Sequence, residues 1–151
     1  MPTLNKLIIA FEALFLIRRI DSIGDRKKST FYLEDQGMAS YLATSTNLER
    51  DWLRLAFSQL HAQLRYLYPA DGSVTQFEAR GGARVPLVLN ADGKTTGCIP
   101  VAAETADRSA LLSAKSFLDR YPEAQVVIST QGSEVIRLGK GITVPPLRGV
   151  M

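Results

Sequence analysis

A single cysteine and a single histidine stand among the 151 residues, and each scarcity removes a class of chemistry. Cys98 cannot close an internal disulfide, and no Cys/His cluster has zinc spacing, so the fold has to be held by packing rather than by covalent or metal staples. His61 has no cysteine or second histidine to complete a nucleophilic or metal arrangement, which predicts a surface or packing role. Repeats and low-complexity segments are also missing. The most apolar run, LIIAFEALFLI at residues 7–17, is too short to span a bilayer and carries Glu12 in its middle. Arg18-Arg19 follows it, where a cleaved leader would have small residues. The run is therefore expected to be buried protein in a cytoplasmic chain with no membrane partner.

What is present suits one compact unit with a small appendage. A hydrophobic share of 46% can supply a core at this length. The net charge of +3 is compatible with nucleic acid without implying it. The surplus is local: Arg18, Arg19, Arg26, Lys27 and Lys28 face only Asp21 and Asp25 between residues 15 and 30.

Along the chain, residues 4–14 read as a helix, and FLIRRI then turns into a strand near Phe15. A polar stretch with Gly24 leads into STFYLED, so the two strands make a hairpin whose tip is the basic cluster. Residues 36–43 suit a short helix. Thr46-Asn47-Leu48-Glu49 matches a capping box, and Leu48, Trp52, Leu55, Ala56 and Leu60 continue at helical spacing to about Leu64. From Arg65 the period shifts to two through RYLYP, SVTQFEAR, RVPLVLN, a turn at Ala91-Asp92-Gly93-Lys94, and TTGCIPVAA, which predicts antiparallel strands. Leu111, Ala114, Phe117, Leu118 and Tyr121 return to helical spacing until Pro122 stops it. QVVIST, EVIRL and ITVP read as short strands. The fold class is α/β, a mixed sheet flanked by helices behind an N-terminal helix and hairpin of winged-helix type. The boundary falls at residue 44, giving units 1–44 and 45–151.

The order and spacing of FEALFLIRRI, KKSTFYLEDQGMASYL, the Glu49 helix, ARVPLVLN, CIPVAA, SFLDRYPEA and VPPL resemble the C-terminal domain that follows the ATPase module in a family of prokaryotic AAA-type ATPases. That domain belongs to the PD-(D/E)XK superfamily, so the resemblance implies a restriction-endonuclease-like sheet preceded by a winged-helix remnant. It also implies an E-V-D-F-like strand beside an I-E-V-K-like strand, where an Asp and a Glu converge on a divalent metal and a Lys steadies the attacking water. Here Arg84 stands at the first Glu, Pro86 at the Asp, Pro100 at the second Glu and Ala102 at the Lys. None of the four can do that chemistry, so no catalytic residue, metal ligand or cofactor is expected, and the chain is expected not to be an enzyme. The two prolines also remove ladder hydrogen bonds, which predicts bulges or edge positions, while Val85, Leu87 and Leu89 keep an apolar phase.

Glu49 matches the helix glutamate that the superfamily often places beside its metal, but the capping box already explains it and is the preferred reading. Glu78, Asp92 and Glu104 are the acids available as relocated ligands. Lys28-Ser29-Thr30 resembles the end of a phosphate loop but lacks its glycines. Trp52, Phe57, Tyr66 and Tyr68 read as core, with Arg54 and Arg65 the only bases beside them for a stacking platform. Three functions follow as expectations. The first is a non-catalytic nuclease-fold module that binds a protein, such as a separate ATPase module, or weakly contacts a DNA backbone. The second is a winged-helix DNA binder using Arg18, Arg19, Arg26, Lys27 and Lys28. The third is a nuclease with relocated ligands. The ATPase half itself is not in this sequence, so the chain is read as a fragment of a longer ATPase or as the companion of a separate motor.

Overall fold

The computed structural model describes residues 2–26, 28–43, 45 and 47–132, together with the backbone of two short strands at 136–137 and 142–144. Lys27, Thr46, the two glycines at 139 and 141, and most of the closing VPPL lie outside the described residues. The chain is mixed α/β. Helix α1 (Pro2–Ala13) leads into the hairpin of β1 (Ile17–Ile20) and β2 (Thr30–Leu33), followed by α2 (Gln36–Leu42) and α3 (Leu48–Leu67). Then come β3 (Ser73–Glu78), β4 (Arg84–Ala91), β5 (Lys94–Pro100), α4 (Arg108–Arg120), β6 (Gln125–Ser129), β7 (Ile136–Arg137) and β8 (Ile142–Val144). The main sheet has the order β3-β4-β5-β6-β8-β7. It is antiparallel from β3 to β5 and parallel from β5 through β6 to β8.

Local signals fix most of these boundaries. Asp92 and Gly93 both take positive φ, 51° and 68°, the two-residue turn that an Asp-Gly pair makes readily between twisted strands. Asp107 caps α4 by accepting the Ala110 amide at 2.7 Å, and Tyr121-Pro122 ends it. α3 starts one residue later than the capping box predicts: Asn47 is its cap, its Oδ1 accepting the Arg50 amide at 2.8 Å. The predicted RYLYP strand is a second correction. Residues 65–67 are the last turn of α3, closed by the Tyr68 amide on the Leu64 carbonyl at 2.8 Å, and Tyr66 and Leu67 face solvent. A short alternation cannot outweigh a helix already propagating from Leu48 to Leu64.

Two buried clusters lie on opposite faces of the sheet. α4 covers one, where Phe117 packs on Phe77, Val85, Val88, Ile99, Val126 and Ile128. Gly97 permits this close approach, because a Cβ there would meet Val85 Cγ1 at 3.1 Å and Phe117 Cε1 at 3.2 Å. The hairpin and α3 cover the other face, where Ile20, Tyr32 and Phe57 meet Leu87 and Cys98. Val85 and Leu87 therefore face opposite layers, against the uniform phase expected from sequence. The reason is a bulge. Thr75 pairs with Val88 and Phe77 with Val85, so Pro86 and Leu87 together oppose Gln76, and the side-chain alternation slips at the proline that cannot donate to the ladder.

The hairpin tip does not stand free. Asp21–Ile23 run alongside β3: the Gln76 amide donates to the Asp21 carbonyl at 2.9 Å, and the Ile23 amide to the Gln76 carbonyl at 2.8 Å. Gly24 lies so close to the backbone of Glu78 that a Cβ would come within 2.7 Å of its N and C atoms.

The run at 7–17 is not buried. Among residues 3–16 only Ile8 and Glu12 are half-covered, and Leu7, Phe11, Leu14 and Phe15 are 48, 42, 66 and 73% exposed. Both sheet faces are already filled by α3, α4 and the hairpin, so α1 is left touching little beyond β1. α1 ends in a paired cap, the Phe15 amide on the Glu12 carbonyl at 3.1 Å and the Leu16 amide on the Phe11 carbonyl at 2.9 Å, with Phe15 at φ 56°. Glycine is the usual residue there, because a side chain in the left-handed region costs roughly 1–2 kcal/mol.

Candidate functional site

The bulged β4, the end of β5, and the first turns of α3 and α4 enclose a cavity of about 200 Å³. Its wall brings together Glu49, Arg84, Pro86 and Pro100, four of the five residues singled out from the sequence. Ala102, two residues past the end of β5, is not among the lining residues. Pro100 is the last residue of its strand: it pairs with Ser129 of β6 but lies beyond the β4 ladder, which ends at Leu87–Cys98. Each proline thus sits where no ladder amide is demanded of it.

The polar groups of this wall are one guanidinium, Arg84, two carboxylates, Glu49 and Asp107, and the hydroxyls of Ser109 and Ser113. The Arg84 amide donates to Ser113 Oγ at 3.1 Å and its guanidinium to Gln76 Oε1 at 3.4 Å. Arg84 makes no ion pair among the described residues. Glu49 stands in the first turn of α3, where an acid complements the helix dipole. Asp107, the other lining acid, spends one carboxylate oxygen on the α4 cap. Asp107, Ser109 and Ser113 escaped the sequence reading, since α4 reaches this corner only through the crossover from β5 to β6. Glu78, Asp92 and Glu104 are not gathered here: Glu78 pairs with Arg26 at 3.1 Å and Asp92 occupies the β4–β5 turn. Among the described residues, no three His, Cys, Asp or Glu side chains converge as a metal-binding group.

The basic cluster is dispersed and largely neutralised. Arg18 pairs with Glu34, Arg19 lies 3.6 Å from Glu12 and 3.7 Å from Asp21, and Arg26 bonds Glu78. Lys28 is exposed, and its carbonyl accepts from Gln76 Nε2 at 2.7 Å. Asp25 holds Arg120 at 3.2 Å, tying the tip to α4 as well. His61 stacks on Phe57 with ring centres 5.5 Å apart. Phe57 stacks in turn on Tyr32 at 4.6 Å, which makes it core, whereas Tyr66 and Tyr68 are exposed and form no stacked pair.

What fold and site together define is a mixed α/β protein with a lined corner cavity and a bare apolar helix. No family model, curated protein or solved structure matches the chain. No helix among the described residues is long and apolar enough to cross a membrane.

Proposed function

We propose that this chain is a non-catalytic, restriction-endonuclease-like module, related to the C-terminal domain of AAA-type ATPases, that works by binding another protein through α1. The observation that carries the reading is the bare helix: Leu4, Leu7, Phe11 and Leu14 recur at i, i+3, i+7 and i+10 and are all exposed. An apolar stripe at that spacing is what a helix lays into a partner's hydrophobic groove. Phe15 extends the stripe from a backbone conformation that disfavours it, and strain of this kind is retained where a side chain is needed. α1 carries only Lys6 and Glu12 as charges, so it lacks the basic polar face of a helix that lies in a lipid interface.

Two further features support the nuclease-like ancestry without activity. The order helix, three antiparallel strands, helix, parallel strand agrees with the resemblance, and the corner where two acids and a lysine are expected holds Arg84, Pro86 and Pro100 instead. The winged-helix reading gains less, because Arg18, Arg19 and Arg26 already face carboxylates and the tip is held against β3.

The test is a photoreactive phenylalanine analogue at position 11, irradiated in extract from cells that express the chain, with the same analogue at exposed Arg80 as control. A discrete protein adduct at position 11 alone, lost when Leu7 and Leu14 are changed to Glu, is the expected result. Absence of that adduct, or Mg²⁺-dependent cleavage of duplex DNA by the purified chain, would overturn the proposal.

A further inference from the structure

A second cavity, of about 160 Å³, opens between β1, the C-terminal half of α3 and the start of β3, and shares no lining residue with the corner described above. His61 and Arg65 are one helical turn apart on α3 and so present side chains to the same side. Arg18 reaches the cavity from β1, on the strand face that Ile20 shares, and Ser73 borders it from β3. Beneath them Ile20, Phe57 and Leu64 form a buried apolar floor. No carboxylate is among the lining residues. Glu34 engages Arg18 through Nε, while Arg65 makes no ion pair among the described residues.

We infer that this cavity is a binding site for a phosphate monoester, taking the terminal phosphoryl group between Arg18, Arg65 and His61. Guanidinium groups bind phosphoryl oxygens in fork geometry, and an apolar floor strengthens each charge by excluding water from one side. The volume limits the ligand. Pockets for drug-sized molecules run to about 300–1,000 Å³, so this one admits a phosphoryl head and leaves the rest of the molecule outside. Burial is the main cause that disfavours the imidazolium form of His61; the same two arginines add to it, and Glu34 opposes them only in part. A bound dianion places opposite charge beside the ring and so favours proton uptake at His61 as the ligand arrives. Arg19, which also borders the cavity, leans to Glu12 of α1, but the three proposed ligand groups lie on β1 and α3 and none belongs to the apolar stripe of α1.

Because His61 is the only histidine, its imidazole Cε1 proton gives one uncrowded signal in an NMR spectrum, and that signal is the readout. Inorganic phosphate is the probe, with sodium chloride at matched ionic strength and dimethyl phosphate as parallel arms. The expected result is a saturable shift with phosphate, a His61 pKa that rises by about one unit, and a weaker response to the diester. Arg65→Gln, at an exposed position, should remove the response while the thermal melt stays unchanged, and Lys115→Gln, exposed on α4 across the sheet, should keep both. No shift, a shift matched by chloride, or an equal or stronger response to the diester would overturn the assignment.

Discussion

Thr30 donates its hydroxyl to Gln76 Oε1 at 3.0 Å, joining the hairpin to a side chain on β3 that is only 2% exposed. The same amide group donates through Nε2 to the Lys28 carbonyl at 2.7 Å, so the side chain holds the β2 side of the hairpin while the Gln76 backbone bonds Asp21 and Ile23 on the β1 side. The facing bulge at Pro86 is where Gln76 opposes two residues instead of one. Gln76→Leu keeps the volume and leaves buried groups unpaired, which should lower stability by roughly 3 kcal/mol. Urea denaturation checks this, and a loss under about 0.5 kcal/mol, the scale of an ordinary surface change, would contradict the role given to Gln76.

Gly24 packs against backbone that cannot swing aside. Gly24→Ala should lift the tip from β3 and destabilise by about 1–3 kcal/mol. Hydrogen exchange locates the effect: the Ile23 and Arg26 amides, which bond the Gln76 and Glu78 carbonyls, should lose protection before the core of β4 and β5 does.

Phe15→Gly should act in opposite directions on stability and on binding. Glycine relieves the left-handed backbone, and an exposed Phe surrenders little packing, so the melting temperature should rise, with a gain of about 1 kcal/mol. Capture of a partner through α1 should weaken in the same variant. A lower melting temperature would show that Phe15 is structural after all.

Alkaline and acid limbs of the stability curve have separate sources. Burial pushes the Cys98 thiol up to about 12 and also raises the Tyr32 hydroxyl. Both groups hold their protons more tightly folded than unfolded, so their contribution is complete below their unfolded values of 9.0 and 10.0 and is lost as pH rises through the folded values. His61 runs the other way: burial and Arg18 lower its pKa from 6.5, so its contribution is present above 6.5 and lost as pH falls. Stability measured across pH should decline at both ends, and His61→Gln should flatten the limb just below pH 6.5. Native protein should resist thiol reagents near pH 8, with Cys98 reacting only as the chain unfolds.

Much of this fold is readable in the sequence because its signals are local. The Asp92-Gly93 turn, the stop at Pro122 and the apolar spacing of α3 and α4 each lie within one stretch of chain. Arg84, Pro86 and Pro100 are likewise legible, since β4 and β5, which carry them, are neighbours in sequence and in the sheet, and Glu49 is marked by the start of α3. What the residues conceal is whatever depends on distant partners. Composition makes α1 look like core, and only the filling of both sheet faces by other elements leaves it bare. Nothing around Gln76 announces a clasp for the hairpin. Two valines three apart share a layer only because a proline bulge separates them.

The strip of chain at Asp21–Ile23 gives β3 a neighbour on its outer side. An unpaired row of amides and carbonyls at that border would invite strands from other molecules to add on. A version of this protein that starts after the hairpin should therefore be prone to aggregate through β3, so the first thirty or so residues act as a built-in guard against fibre-like assembly.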